Sequence, residues 1–310
     1  MIDVKLGDST VHDSQYLLGI DGGGTGCRAR LTDFAGKVLG EGVSGPANLA
    51  LGLPIALESV MTATREALTN AQLGEKDLKS VHAGFGMAAG NVPKHRQAFE
   101  RAALPFLSVS VRSDAETACL GAHAGQEGGI LILGTGSQGV VHRNGTFTTV
   151  GGWGFALSDA GSGAILGRAA VRRAFLAHEG IESHSALTEC IMTRFNSDLS
   201  TMLEWAESAR PADWAEFARW VFQYSDSGDA IALELVRENA SGAERMLQRL
   251  LTLGAERIAL MGGLARAIRP YLSTDFDDAL VKPMGDAMDG ALILARQAAG
   301  LRTLRSEEFS

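Results

Sequence analysis

Two short stretches carry residue types suited to handling a polyphosphate. The first is Asp21-Gly22-Gly23-Gly24-Thr25, set between an apolar strand-like run at residues 16–20 and a second strand-like run at residues 27–34. Consecutive glycines allow positive φ and can aim successive backbone N–H groups at one point, a concavity suited to phosphate oxygens. A carboxylate beside that anion is useful when a divalent cation shares the site, which makes Asp21 both a nucleotide-site candidate and the candidate metal ligand. A tight hairpin turn with an acidic shoulder is the plainer reading of the same residues, and on this stretch alone it stands.

The second stretch is Gly134-Thr135-Gly136-Ser137. An apolar run at residues 130–133 precedes it; a strand at 139–142, an Asn144-Gly145 turn and a strand at 146–150 follow. The first copy has the same plan, with Ala35-Gly36 as its second turn and a strand at 38–41. The repetition predicts two similar domains that grip one polyphosphate from opposite sides. Gly134, Gly136 and Gly139 also spell G-x-G-x-x-G, with Asp159 downstream. A dinucleotide fold needs a helix directly after those glycines, and Val140-Val141-His142 with an Asn-Gly hairpin turn excludes it. No G-x-x-x-x-G-K-[ST] loop is present.

The intervening chain must bring side chains to these turns. The loop Ser44-Gly45-Pro46-Ala47-Asn48 leads to a helix that Pro54 starts and that runs to about Gln72. Asn48 offers amide donors and an acceptor, which suits sugar hydroxyls, and an Asn in a loop is also an ordinary turn former. A strand over residues 109–113 stops at Asp114 and enters a helix. Functional groups in open α/β sheets sit at strand carboxyl ends, so Asp114 is a candidate catalyst; it is equally a candidate helix cap with Ser113, and the local sequence leaves both open. Gly151-Gly152-Trp153-Gly154 and Ser158-Asp159-Ala160-Gly161-Ser162 read as a binding loop with Asp159 available to sugar hydroxyls, or as a long connection with a helix cap. Residues 185–254 are mostly helical, and Trp205, Trp214, Phe217, Trp220, Val221 and Tyr224 form a stripe of core or subunit interface rather than a ligand box. A last strand at 257–261 ends in Gly262-Gly263, where a flat group such as adenine can lie on bare backbone before a helix at 264–271.

Composition bounds the function. With 310 residues, 45% of them hydrophobic, the chain can bury the cores of two domains. A net charge of −8 without a basic cluster argues against nucleic acid or an anionic membrane as the main partner. Residues 1–15 are polar and acidic, so no signal peptide is expected; no apolar run approaches a membrane span, and the expected location is the cytoplasm. Cys27, Cys119 and Cys190 are far apart and form no C-x-x-C, so they read as small buried hydrophobes rather than a disulfide framework or a zinc or iron–sulfur site.

In this order the elements resemble the sugar kinase, Hsp70 and actin superfamily of ATPases, with Asp21 to Thr25 and Gly134 to Ser137 as the two phosphate motifs and Met261-Gly262-Gly263 as the adenosine motif. Asn48, Ser113-Asp114 and the loops at 151–154 and 158–162 resemble, more narrowly, the N-acetylglucosamine kinase and bacterial glucosamine kinase group of the BadF/BadG/BcrA/BcrD-type ATPases. The resemblance implies an α/β protein of two similar actin-like (ribonuclease H-like) domains with an interdomain cleft. Residues 1–121 with the final helix 289–300 form one domain; residues 122–310, with a helical insertion at about 185–254, supply the other. It implies an ATP-dependent kinase with Mg2+ near Asp21 and with Asp114 taking the proton from the sugar 6-hydroxyl. Asn48, Thr135, Gly152, Trp153 and Asp159 then contact the amino sugar or its surroundings, and a homodimer is the expected assembly. The 151–154 loop is like the N-acetylglucosamine enzymes, whereas residues 119–125 and 159–164 are more like glucosamine kinases. Acidic surroundings from Asp159, Glu116 and Asp114 suit an ammonium at C2 and favour glucosamine as acceptor. Two rival readings share the fold: an activator ATPase of 2-hydroxyacyl-CoA dehydratases, whose cluster cysteines the scattered cysteines here fit poorly, and a non-catalytic sugar-sensing ATPase, in which Asp114 is only a cap.

Overall fold

The structure, a computed structural model, describes residues 15–301. The polar opening at residues 1–14, on which the expectation of no signal peptide rests, lies outside the described residues. The chain divides into two compact units, one holding the described residues up to Thr117 together with those from Ala287 onward, the other Ala118–Asp286.

The first unit runs β1 (Tyr16–Gly22), β2 (Cys27–Thr32), β3 (Val38–Ser44), α1 (Leu53–Asn70), β4 (Val81–Met87), α2 (Pro93–Glu100) and β5 (Ser108–Ser113), and the chain leaves it along α3 (Asp114–Ala122). The sheet order is β3-β2-β1-β4-β5; β1, β2 and β3 form an antiparallel meander, and β4 and β5 run parallel to β1. Central β4 is buried at every residue, as a strand enclosed on both faces must be. Ala56, Val60, Ala63 and Ala67 recur at helical spacing and form the buried stripe that α1 lays on β3 and β2.

The second unit runs β6 (Gly128–Leu133), β7 (Ser137–Arg143), β8 (Thr146–Gly151), α4 (Gly163–His178), α5 (Ala186–Arg194), α6 (Leu199–Ser208), α7 (Pro211–Asp226), α8 (Ala230–Thr252), β9 (Ile258–Met261), α9 (Ala265–Ile268) and β10 (Leu280–Val281). Its order, β10-β9-β6-β7-β8, repeats the first sheet with β6 in the place of β1, again a meander followed by two parallel strands. The protein is thus an α/β pair of similar domains, as the repeated hairpins predict, with the actin-like fold that the resemblance implies. The aromatic stripe is core: Phe217 and Val221 are buried among Leu187, Ile191 and Val236, and Trp205, Trp214, Trp220 and Tyr224 pack against that cluster. The helix expected over 264–271 is cut short, since α9 gives way to a 3-10 turn at Arg269–Tyr271, where Pro270 has no N–H to continue an α-helix. No helix among the described residues is long and apolar enough to cross a membrane.

The last helix, α10 (Ala287–Ala298), returns to the first unit and packs on β4 and β1. It crosses β4 so closely at Gly84 that a Cβ there would run into the carbonyl of Ala291 and stand 2.5 Å from the amide nitrogen of Ala295. Gly84→Ala should therefore push α10 off the sheet at a cost of about 1–3 kcal/mol, read as a lower urea midpoint. An unchanged midpoint would contradict this packing.

Candidate active site

β1 carries Asp21 to its carboxyl end, and the chain turns through residues 22–26 into β2. The turn closes with the Gly23 N–H donating to the Gly26 carbonyl at 2.9 Å; the carbonyls of Gly22 and Gly23 accept from the N–H groups of Ala88 and Ala47 at 2.8 and 3.0 Å. Positive φ is expected at these glycines from the sequence, and the structure corrects this: Gly22, Gly23 and Gly24 all lie outside the left-handed region. Glycine is needed at 22 for close approach instead, because a Cβ would stand 2.7 Å from Met87 Sδ and 3.2 Å from Ala47 Cβ. Among the described residues the N–H groups of Gly24 and Thr25 meet no backbone acceptor, and both residues are exposed.

Asp21 has a cation beside it already. Arg28 lies directly across the hairpin and donates to Asp21 Oδ2 from Nη2 at 2.6 Å and from Nε at 3.2 Å. Sequence reasoning missed Arg28, although a tight turn pairs the residues flanking it and so places position 28 opposite 21. No group of three or more His, Cys, Asp or Glu side chains among the described residues could hold a metal. A single carboxylate still fits Mg2+, which commonly binds through one or two carboxylates plus substrate phosphates. Asn48 divides its amide between two tasks. Its Oδ1 accepts the Ala50 N–H at 2.9 Å and caps a 3-10 turn, while Nδ2 lies 3.9 Å from the place of a Cβ on Gly24.

At the end of β5, neighbouring side chains decide which residue caps α3. Ser113 Oγ accepts the Glu116 N–H at 3.2 Å, and Glu116 Oε2 accepts the Ser113 N–H at 2.8 Å, a reciprocal capping box. Ser113 therefore caps α3, and Asp114 stands one position inside the helix. Its Oδ1 accepts the Ala115 N–H at 2.9 Å, and Oδ2 accepts no hydrogen bond from the described residues. Burial pushes the Asp114 carboxyl above its ordinary pKa; the Ala115 N–H opposes this, and the negative charges of Asp21 and Glu116 add to it. A carboxylate held in this way suits general-base chemistry near neutrality.

In the second unit the turn after β6 is tied to the start of α4. The carbonyls of Gly134 and Thr135 accept the N–H groups of Gly163 and Ala164 at 2.8 and 3.1 Å, and the Gly136 carbonyl accepts the Gly134 N–H at 2.9 Å. Asp159 braces this turn. It is buried in the left-handed region at φ +70°, and its Oδ1 accepts from the Ser137 N–H at 3.2 Å and the Ser158 hydroxyl at 3.3 Å. A Cβ on Gly136 would stand 2.9 Å from that carboxylate. Ser137 Oγ donates to the Ala160 carbonyl at 2.8 Å, which turns the hydroxyl towards the loop. The N–H groups of Thr135 and Gly136 again meet no backbone acceptor among the described residues.

The remaining candidates lie around this turn. Gly152, at φ +75°, packs so near Gln138 that a Cβ would stand 2.7 Å from its Cδ. Trp153 beside it is 62% exposed, and its backbone N–H donates to Ser158 Oγ at 3.1 Å. Gly262, at φ +89°, backs onto the Leu133 carbonyl, whereas nothing lies within 4 Å of the place of a Cβ on Gly263. Gly263 opens onto a pocket of about 600 Å³ lined with Leu264 and with Ala215, Arg219, Phe222, Gln223 and Ser227 from the α7 region. Sequence reasoning missed that wall because it read α7 by its aromatic stripe; Arg219, Gln223 and Ser227, spaced four apart, mark a second, polar face.

A profile of the BadF/BadG/BcrA/BcrD ATPase family matches residues 18–295. The chain is 41% identical over 280 residues to glucosamine kinase GspK of Vibrio cholerae, covering 90% of this chain and 95% of that protein. It is 24% identical to an N-acetylmuramic acid/N-acetylglucosamine kinase of Clostridium acetobutylicum, over 91% of this chain and 98% of the relative. A solved structure from Chromobacterium violaceum, of a protein whose name assigns it to the N-acetylglucosamine kinases, superposes with a TM-score of 0.82 at 34% identity, over 91% of this chain and 99% of that one.

The capping geometry separates two substitutions by sign. Ser113→Ala removes the cap and should cost about 1 kcal/mol of stability. Asp114→Asn should not. A carboxyl whose pKa is raised on folding contributes stability below the pKa of the unfolded chain, and that contribution is lost as pH rises through the folded value. Asn removes the loss, so Asp114→Asn should melt at or above the wild-type temperature at pH 7, with the difference closing below about pH 4. Thermal melts at the two pH values check this, and a lower melting temperature for Asp114→Asn at pH 7 would return the carboxylate to a structural role.

Proposed function

The chain belongs to the BadF/BadG/BcrA/BcrD ATPase family, and we propose that it is an ATP-dependent kinase that phosphorylates the 6-hydroxyl of an amino sugar, with glucosamine preferred. The observation that carries this reading is the state of Asp114, a strand-end carboxylate relieved of capping by Ser113 and Glu116 and raised in pKa by burial. In this reading Oδ2 of Asp114 takes the proton of the sugar hydroxyl as that oxygen becomes the nucleophile. The N–H groups left bare at each glycine turn suit phosphate oxygens, Asp21 and Arg28 form the charged shoulder of the first turn, and the pocket at Gly263 suits adenine. Bound MgATP supplies the phosphoryl group and the cation that neutralises its charge. The residues this reading assigns to the sugar are Asn48 with its Nδ2 donor, the exposed Thr135, Gly152 and Trp153, while Asp159 holds the second turn in shape.

The glucosamine preference draws support from the 41% identity to a glucosamine kinase and from the carboxylate of Asp114, which suits an ammonium; Glu116 is already held by the α3 cap and by Arg96. An acetamide asks for an apolar recess lined by Trp153 or Phe155; Trp153 is exposed, and the Phe155 ring is already engaged, stacking on Trp214 at 6.4 Å between centroids and carrying the Arg168 guanidinium at 5.6 Å. The activator reading draws no such support. Burial pushes the Cys27 thiol up to about 11, against the thiolate that an iron–sulfur ligand must supply.

Asp114→Asn should lower kcat about 10²- to 10⁴-fold while ATP and sugar still bind. A folded variant with near-normal turnover would remove the base, and with it the preference for a kinase over a sugar-sensing ATPase. Comparing kcat/KM for glucosamine and N-acetylglucosamine tests the acceptor. Glucosamine should lead, and an excess of about tenfold for N-acetylglucosamine, some 1.4 kcal/mol in transition-state binding, would reverse the assignment.

A further inference from the structure

We propose that a groove in the second unit, between α4, α6 and the start of α7, binds a small amphipathic anion: an alkyl or aryl body that carries a carboxylate or phosphate. The groove holds about 610 Å³, within the range of roughly 300–1,000 Å³ usual for small-molecule sites. Phe155, Val171, Phe175, Met202, Leu203 and Trp214 supply apolar lining, and no acidic residue lines it. Its charged groups are Arg168 and Arg172. These stand one turn apart on α4, so their side chains share a face.

The charge balance singles these arginines out. Both are exposed, and neither makes an ion pair among the described residues. The adjacent Arg173 is paired twice, with Glu182 at 2.6 Å and Glu234 at 3.0 Å. The chain as a whole carries a net charge of −8, so carboxylates are plentiful, yet no carboxylate of the described residues lines the groove beside this pair. Two planar guanidinium groups over an apolar recess match a ligand with an anionic head and an apolar body: the head takes charge-assisted hydrogen bonds, and the body fills the recess. The recess itself offers real apolar contact, with Val171 and Met202 buried while Phe175 is 37% and Leu203 60% exposed. None of its lining residues belongs to either glycine turn. Phe155, which carries the Arg168 guanidinium at 5.6 Å, directly follows the 151–154 loop, so the groove borders that loop.

The inference does not rest on kinase activity, because its test reads binding. Octanoate, octyl phosphate and neutral 1-octanol would be titrated calorimetrically into the full-length protein. One saturable site should appear for one or both anions, and which of them binds tighter identifies the head group. The alcohol should bind at least about tenfold more weakly. The double variant Arg168→Gln/Arg172→Gln should lose about tenfold or more in affinity for the preferred anion with its melting temperature unchanged. Leu203→Glu, a change at an exposed position that sets a carboxylate beside the pair, should weaken binding similarly. The proposal is overturned if neither anion binds saturably, if the alcohol binds as well as the anions, or if the arginine variant binds as the wild type does. It is also overturned if the protein self-associates in sedimentation and Leu203→Glu renders it monomeric, since a second copy would then cover the groove.

Discussion

Backbone hydrogen-bond accounting at the two glycine turns is the constraint on which the rest of this protein depends. A buried or half-buried peptide group must find a partner. At both turns the carbonyls find theirs within the protein: Gly22 and Gly23 at Ala88 and Ala47, Gly134 and Thr135 at the first residues of α4. With the oxygens held from behind, the N–H groups of Gly24, Thr25, Thr135 and Gly136 are the ones that meet no backbone acceptor among the described residues. The shape of each turn thus comes from the strand, loop and helix packed behind it, and the two repeated sheets are the supports for two such turns.

The same economy operates at Asp114. Helix α3 needs a cap, and an aspartate at its start would normally be drawn into that service. Ser113 and Glu116 satisfy one another's backbone N–H groups instead. Asp114 is thereby left with a carboxylate oxygen unengaged, in surroundings that burial and the nearby charges of Asp21 and Glu116 make unfavourable for an anion. The resulting rise in pKa is a stability cost, since it opposes folding wherever the group is ionised. That cost is offset elsewhere by cores that involve none of these residues.

The helical layer of the second unit shows one stretch of chain serving two faces. Trp205, Trp214, Phe217 and Trp220 interlock at centroid distances of 4.6–5.4 Å around the aliphatic core of α4, α5 and α8. Packing so dense fixes the backbone of α7, and rigid helices hold pockets better than loops do. The polar side of α7 consequently forms one wall of the pocket at Gly263, while Trp214 and Phe155 help to wall the groove beside Arg168.

Whatever neighbouring residues encode was legible in the amino-acid order: strand, glycine turn and strand, twice over, the carboxylates at the ends of β1 and β5, and the apolar periods of the helices. From these the α/β class and two similar domains follow, because alternating apolar runs and turn residues act over a few positions; that the domains are actin-like came from the resemblance the motifs carry. What depends on residues far apart in the chain was settled only by tertiary structure. Gly22 is there for close approach to Met87 and Ala47, and none of the glycines at 22–24 takes a positive φ, which no local pattern distinguishes. Asp159 folds under the Ser137 amide, twenty-two positions earlier, instead of standing open in its loop. Arg219 and Gln223 become pocket residues only when α9 is laid beside α7. Local sequence sets which conformations are cheap, and the choice among them was made by burial and by the requirement that each enclosed polar group find a partner, both of which are properties of the packed chain.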